Sequence, residues 1–293
     1  MQLTELSHRP LVVAAVTPLS NDGVTLDEGA IGPYVSFLES HGADGVFACG
    51  TTGEGVLLSV EERRRAAKAF RSAVTGTLVV HAGAQTTADT TRLAGHAAEI
   101  GADAVAVIPP PYYGLTADEL TDHFVSAARA CAPLPFFCYA FTARSGNPLP
   151  IEVIRRIGES VDNLAGLKVS ESPFDRVAPY LELGLPVLIG NEPLLADGIA
   201  KGALGTVSGL SAAFPDVVRA ALDEADEPAM ERLRTLRGAM EAGGQFIAAL
   251  KYVLALRGVA VTAGMRAPLR SLTTDQGVDL EEAIGGFMQP ALA

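Results

Sequence analysis

Apolar positions along this chain fall into two alternating patterns. Short, mostly apolar runs recur at LVVAAVTPL (11–19), GVFACG (45–50), TLVVHAG (77–83), AVAVIPP (104–110), PFFCYA (135–140), LAGLKVS (164–170), PVLIG (186–190) and GTVSG (205–209). Between them lie amphipathic stretches such as LSVEERRRAAKAFRSAV (58–74), TTADTTRLAGHAAEIG (86–101) and TADELTDHFVSAARACA (116–132). Several open with a hydroxyl side chain ahead of acids: Ser59 before Glu61 and Glu62, Thr116 before Asp118 and Glu119. That order marks a helix N-terminus. Continuous apolar strands alternating with helices predict a parallel sheet covered on both faces. Eight such units predict a closed (β/α)8 TIM barrel over residues 1–224. An open doubly wound sheet is the structural alternative, but no Gly-x-Gly-x-x-Gly follows the first strand.

Beyond 224 the pattern is helical. DEADEPAMERLRTLRGAMEA (223–242) reads as a charged helix and GQFIAALKYVLALRGV (244–259) as a more apolar one, with a short third near 273–286. Residues 225–293 are expected to form a C-terminal helical extension without a disordered linker.

Composition narrows the classes of function. The chain has 293 residues, 48% of them apolar, enough for one large barrel. A net charge of −12 argues against a polyanionic partner, so no nucleic acid is expected. MQLTELSHRP, at the N-terminus, has no basic segment leading into an apolar core. No uncharged apolar stretch reaches the ~20 residues that span a bilayer. Cys49, Cys131 and Cys138 are too few and too scattered for a disulfide framework or a zinc pattern. The expectation is a cytoplasmic protein with no membrane partner.

In a (β/α)8 barrel the chemistry sits at the C-terminal ends of the strands. One of only four lysines, Lys168, lies inside the sixth run. Period-2 alternation puts Gly166, Lys168 and Ser170 on one face and Leu167 and Val169 on the other. The bulky face should meet the helices, which turns Lys168 into the barrel. A strand-end lysine can also snorkel to water or pair with a carboxylate. An interior ammonium is costly to desolvate, so its pKa should fall from ~10.4 toward neutrality. A neutral lysine amine is a nucleophile that forms Schiff bases with carbonyl compounds.

Such chemistry needs a proton shuttle and an anion pocket. Tyr139 ends the neighbouring strand; the bland alternative is a core aromatic. GTTGEG (50–55) offers two hydroxyls and unencumbered backbone N–H groups. It lacks the Gly-Lys-Ser/Thr ending of a P-loop. Gly50, and Ser208 at the end of the last strand, are further candidates for substrate contact.

Together these residues resemble the dihydrodipicolinate synthase/N-acetylneuraminate lyase family of pyruvate-dependent class I aldolases. The resemblance spans nearly the whole chain: AVTPL in the first run, GTTGE at 50–54, PPYY at 110–113, RSG at 144–146, GLK at 166–168 and RAPL at 266–269. It implies that Lys168 forms the imine with pyruvate, with no separate cofactor. It also implies that Tyr139 and Thr51 relay protons and that Thr51 and Thr52 bind the pyruvate carboxylate. Tyr113 would complete the relay from a neighbouring subunit of a homotetramer, a dimer of tight dimers. Arg144 matches the arginine that grips the second substrate's carboxylate in the synthases. The synthase pattern Asn-Val-Pro-x-Arg-Thr-Gly is replaced here by Ala140 to Gly146, Gly55 replaces a serine, and Val169 stands where an acid is usual.

The leading reading is therefore a synthase-like Schiff-base lyase joining pyruvate to a carboxylate-bearing aldehyde such as aspartate semialdehyde. A 2-keto-3-deoxy sugar acid aldolase, or a sialic-acid-type lyase, is the alternative. A metal-dependent barrel enzyme would need clustered ligands. Of His8, His41, His81, His96 and His123 only His81 falls on a predicted strand, so no metal is expected. A non-catalytic binding protein would have no use for lysine, tyrosine and threonine together.

Overall fold

The computed structural model describes residues 7–242 and 244–288. The polar N-terminal residues 1–6 lie outside them. Eight strands close a parallel barrel in simple sequential order, β1 pairing with both β2 and β8. They are β1 (Leu11–Ala14), β2 (Gly45–Ala48), β3 (Thr77–His81), β4 (Ala104–Val107), β5 (Phe136–Ala140), β6 (Leu164–Val169), β7 (Val187–Ile189) and β8 (Gly205–Ser208). Every strand lies within one of the eight apolar runs, and in most of them the surplus of the run continues into the loop at the strand's C-terminal end.

The helices between strands are α1 (Ile31–Ser40), α2 (Val60–Ala73), α3 (Thr87–Glu99), α4 (Ala117–Cys131), the single turn α5 (Thr142–Ser145), α6 (Ile151–Ser160), α7 (Ala178–Leu181) and α8 (Leu195–Ala200). α9 (Pro215–Glu224), α10 (Glu227–Ala242), α11 (Phe246–Leu256) and α12 (Thr274–Ile284) follow β8. Ser59 and Thr116 cap α2 and α4 as capping boxes, with Glu62 and Glu119 reaching back to the cap amides.

Alternation along the strands builds two cores. Val12, Phe47, Val79, Ala104, Phe137, Leu188 and Val207 fill the barrel interior. Val13, Val46, Leu78, Val105, Leu167 and Val187 face outward into a shell of helix side chains. Leu233 and Leu236 of α10, Leu250 and Val253 of α11 and Leu280 of α12 join that outer shell. The last helices are thus packed onto the barrel by the same apolar burial that holds its own helices.

Two details differ from the pattern read in the sequence. The charged helix expected over 223–242 is broken: Asp223 and Glu224 finish α9, Ala225 turns left-handed at φ 50°, and α10 starts at Glu227. Asp226 accepts from the Ala229 amide at 2.9 Å, an N-terminal cap that allows the new start. In β6 the register with β5 slips by one residue, since Phe136 pairs with Leu164 and Phe137 with Gly166. The slip leaves Ala165 unpaired and sets the parity of everything after it.

Candidate active site

β6 delivers Lys168 into the barrel. Leu167 and Val169 pack outward while the lysine is 4% exposed. Its Nζ stands 4.1 Å from the Tyr139 ring centroid and 4.2 Å from that of Phe47. Gly190, beyond β7, makes the space. A Cβ there would fall 1.9 Å from Ser170 Oγ and 3.2 Å from Lys168 Cε. Burial pushes the lysine amine down from 10.5 to about 7, with Glu192 pulling weakly the other way. Desolvation therefore outweighs the attraction of a nearby carboxylate and two aromatic faces for the ammonium. Near neutral pH much of this amine is an unprotonated nucleophile.

Tyr139 pairs in register with Lys168 and is 2% exposed. Its hydroxyl lies 3.4 Å from Thr51 Oγ1. Burial raises the phenol to about 12, against opposing hydrogen bonds from Thr51 and Ser170 and the Arg144 charge. The phenol keeps its proton at physiological pH and can pass it along the Tyr139–Thr51 contact.

The 50–55 loop is shaped by two left-handed residues, Cys49 (φ 58°) and Glu54 (φ 56°). Such backbone in non-glycine residues persists only where the surroundings enforce it. Thr17 donates to the Gly53 carbonyl at 2.6 Å. Gly55 is forced by close approach, because a Cβ there would fall 1.9 Å from the Cys49 carbonyl oxygen. Glu54 turns away from the loop into the protein. It meets Lys251 Nζ of α11 at 2.5 Å and accepts from the Arg266 amide at 2.7 Å. The acid of GTTGE and the arginine of RAPL thus meet, although 212 residues separate them. The Thr51 and Thr52 amides donate to no other group among the described residues, so the loop presents free N–H groups beside the two hydroxyls.

Gly50, Thr51, Thr52, Tyr139, Arg144 and Lys168 line one cleft of about 380 Å³, within the range that holds a small ligand. Arg144 is exposed at its mouth with its guanidinium 5.9 Å from the Phe141 ring centroid, and it forms no ion pair among the described residues. Two candidates lie elsewhere. Ser208 is fully buried outside the cleft lining; its hydroxyl donates to Glu192 Oε1 at 2.8 Å and accepts from the Ser211 amide at 3.0 Å, so its one proton is committed within the protein. Tyr113 is 73% exposed and stacks edge-on against Tyr112, outside its own chain's cleft.

Side chains not singled out from the sequence complete the site. Glu192, in the GNEP turn after β7, is fully buried. Burial alone would raise its carboxyl, but Arg237, the Leu210 amide and the Ser208 hydroxyl hold it below its ordinary value. Arg237 of α10 donates to Glu192 at 2.7 Å, also binds Glu241, and lies 4.0 Å over the Phe246 ring. Arg237, Glu241, Gln245 and Phe246 supply one wall of the cleft. No local spacing joins residue 192 to residue 237, so only the fold brings them together. Among the described residues no three His, Cys, Asp or Glu side chains gather as a metal site requires, and no helix is long and apolar enough to cross a membrane.

The chain is similar over most of its length to known proteins. A model of the dihydrodipicolinate synthetase family matches residues 7–285. An uncharacterised DapA-like lyase of Halobacterium salinarum is 34% identical over 284 residues, covering 92% of this chain and 91% of the relative. A 4-hydroxy-tetrahydrodipicolinate synthase of Syntrophus aciditrophicus is 30% identical over 78% of this chain and 79% of its own length. The N-acetylneuraminate lyase of Proteus mirabilis superposes with a TM-score of 0.86 at 27% identity, over 95% of this chain and 98% of that one.

Proposed function

Because this chain belongs to the dihydrodipicolinate synthetase family, an enzyme family of aldolases and lyases acting on small keto acids and aldehydes, we propose that Lys168 forms an imine with pyruvate. The observation that carries this is the Lys168 amine, held between the Tyr139 and Phe47 rings and pushed to about 7.

The chemistry follows from the groups present. The neutral amine attacks C2 of pyruvate, and the resulting carbinolamine loses water to give the protonated imine. Loss of a C3 proton gives an enamine. Its C3 attacks the carbonyl carbon of an aldehyde, whose oxygen takes a proton and becomes a hydroxyl. Water then releases the product and restores the amine. Tyr139 and Thr51 are proposed to carry the protons. The free Thr51 and Thr52 amides and hydroxyls are proposed to hold the pyruvate carboxylate, with Gly50 beside them.

Arg144, at the mouth and without an ion pair among the described residues, supports a second substrate that carries a carboxylate, such as aspartate semialdehyde. A buried nitrogen on the same cleft without a partner among the described residues, His81 Nε2, supports the second reading, a hydroxylated aldehyde from a 2-keto-3-deoxy sugar acid. The exposed Tyr112–Tyr113 pair supports a homotetramer in which Tyr113 enters a neighbour's cleft. A cytoplasmic location and the covalent lysine imine as the sole prosthetic chemistry complete the proposal. Comparing aspartate semialdehyde with glyceraldehyde in condensation with pyruvate tests the choice of substrate; activity with neither would refute both readings.

A further inference from the structure

His81 closes β3 with its ring on the cleft wall and only 3% of the residue exposed. Its two nitrogens are not equivalent. Nδ1 lies 3.1 Å from the Cys49 carbonyl oxygen, which can only accept, and 3.4 Å from Arg63 Nη2, which can only donate. The carbonyl contact is the shorter and Nη2 already donates to the His81 carbonyl, so the geometry favours the proton on Nδ1. The Arg63 guanidinium sits on the same side. It donates to the His81 carbonyl at 2.6 Å and to the Gly83 carbonyl at 2.9 Å, and is itself buried with no ion pair among the described residues. Burial first, then the Arg63 and Lys168 charges, keeps the imidazole neutral well below its usual range.

In that tautomer Nε2 is an acceptor. Among the described residues it has no hydrogen-bond partner. It abuts Gly83, where a Cβ would come within 2.8 Å of it, so no side chain of that residue covers it. The His81 ring stands 6.0 Å from the Tyr139 ring and 5.9 Å from the Phe47 ring, the same two rings that flank the Lys168 amine. An orphaned buried acceptor at such a place calls for a donor. The Arg63 and Arg144 guanidiniums already make the surroundings cationic, which disfavours a ligand ammonium and leaves a neutral hydroxyl as the fitting donor.

Resting on the aldolase reading, we propose that His81 Nε2 accepts a hydrogen bond from a hydroxyl on the carbon chain of the second substrate, so that the cleft selects hydroxylated aldehydes over their deoxy counterparts. A site with a buried acceptor left unpaired by the wrong substrate discriminates far more sharply than an apolar pocket. His81 is a specificity residue here; the lowered pKa of its buried ring makes it a poor proton acceptor, so it is assigned no proton-transfer step.

The test measures kcat/KM at saturating pyruvate for glyceraldehyde and for propanal, which has the same carbon count and no hydroxyl. The wild-type enzyme is expected to favour glyceraldehyde by about tenfold or more. His81→Asn keeps a donor for the Cys49 carbonyl but has no acceptor at the Nε2 position, and should bring the ratio close to unity. His81→Gln, whose side-chain oxygen reaches that position, should restore part of it. A wild-type enzyme without preference overturns the proposal whether or not the variants fold. So does a His81→Asn variant that loses both aldehydes equally or keeps the full ratio. Borohydride trapping of pyruvate on the wild-type enzyme separates the two levels: no adduct refutes the aldolase reading, whereas an adduct without hydroxyl preference refutes only the role of His81.

Discussion

Arg237 of α10 donates to Glu192 at 2.7 Å, so a helix that follows the eighth βα unit fixes a buried carboxylate near the amine of Lys168. That carboxylate favours the ammonium form and partly offsets the effect of burial. Glu192→Gln removes it, so the Lys168 pKa should fall further. The neutral amine gains population as pH rises through its pKa. The acidic limb of imine formation, near pH 7 in the wild type, should therefore move to lower pH in Glu192→Gln. Trapping rates with pyruvate and borohydride across pH 5–9 read this directly. A limb that stays in place would show that Glu192 acts on structure alone.

Tyr139 keeps its proton because burial raises it to about 12, and its hydroxyl lies 3.4 Å from Thr51 Oγ1. Tyr139→Phe preserves the ring that flanks Lys168 and removes the relay. Turnover should drop ~10²–10⁴-fold, the usual worth of positioned acid–base catalysis, with the melting temperature nearly unchanged. A loss below about threefold, far under that range, would assign the hydroxyl to structure.

Arg144 is exposed at the cleft mouth and holds no carboxylate of its own chain among the described residues. If it grips a substrate carboxylate, truncation should cost ~2–5 kcal/mol in kcat/KM for that aldehyde. Arg144→Ala should raise the Michaelis constant for aspartate semialdehyde and leave glyceraldehyde much less affected. A lysine at 144 should rescue poorly, because an ammonium cannot form the planar bidentate pair. If glyceraldehyde outperforms aspartate semialdehyde and Arg144→Ala is silent, the synthase-like reading gives way to the sugar-acid reading.

Lys251 and Glu54 form an ion pair with both side chains fully buried. Removing one partner strands the other charge, which typically costs ~3–5 kcal/mol. Lys251→Met should lower stability by about that amount, and adding Glu54→Gln should recover part of it. Chemical denaturation of the two variants provides the comparison. Equal stability of single and double variants would mean that the pair is not coupled.

Much of this architecture was legible in the chain. Eight continuous apolar runs gave the strands because a barrel strand is buried on both faces and cannot alternate in polarity. The interior position of Lys168 followed from parity, since Leu167 and Val169 needed the outer shell. The capping boxes at Ser59 and Thr116 followed from local hydrogen bonding, which sequence records directly. Other features are tertiary. Glu192 and Arg237 are 45 residues apart, and Glu54 and Lys251 are 197 apart; neither pairing has a local signature. Ser208 has the composition of a ligand contact, but its hydroxyl is consumed by Glu192. The break at Ala225 was hidden because an alanine rarely adopts a left-handed turn, so nothing in the residue type announced it. His81 was visible as the one histidine on a strand, yet its unpartnered nitrogen appears only once Cys49 and Arg63 are placed around it.

The account rests on Lys168 as the nucleophile. The most direct measurement incubates the enzyme with pyruvate and borohydride and locates the reduced pyruvyl adduct by peptide mass. The adduct should fall on Lys168 alone among Lys68, Lys168, Lys201 and Lys251, and it should disappear in Lys168→Arg, whose guanidinium stays protonated. An adduct on another lysine, or an active enzyme with Lys168 unmodified, would contradict the mechanism.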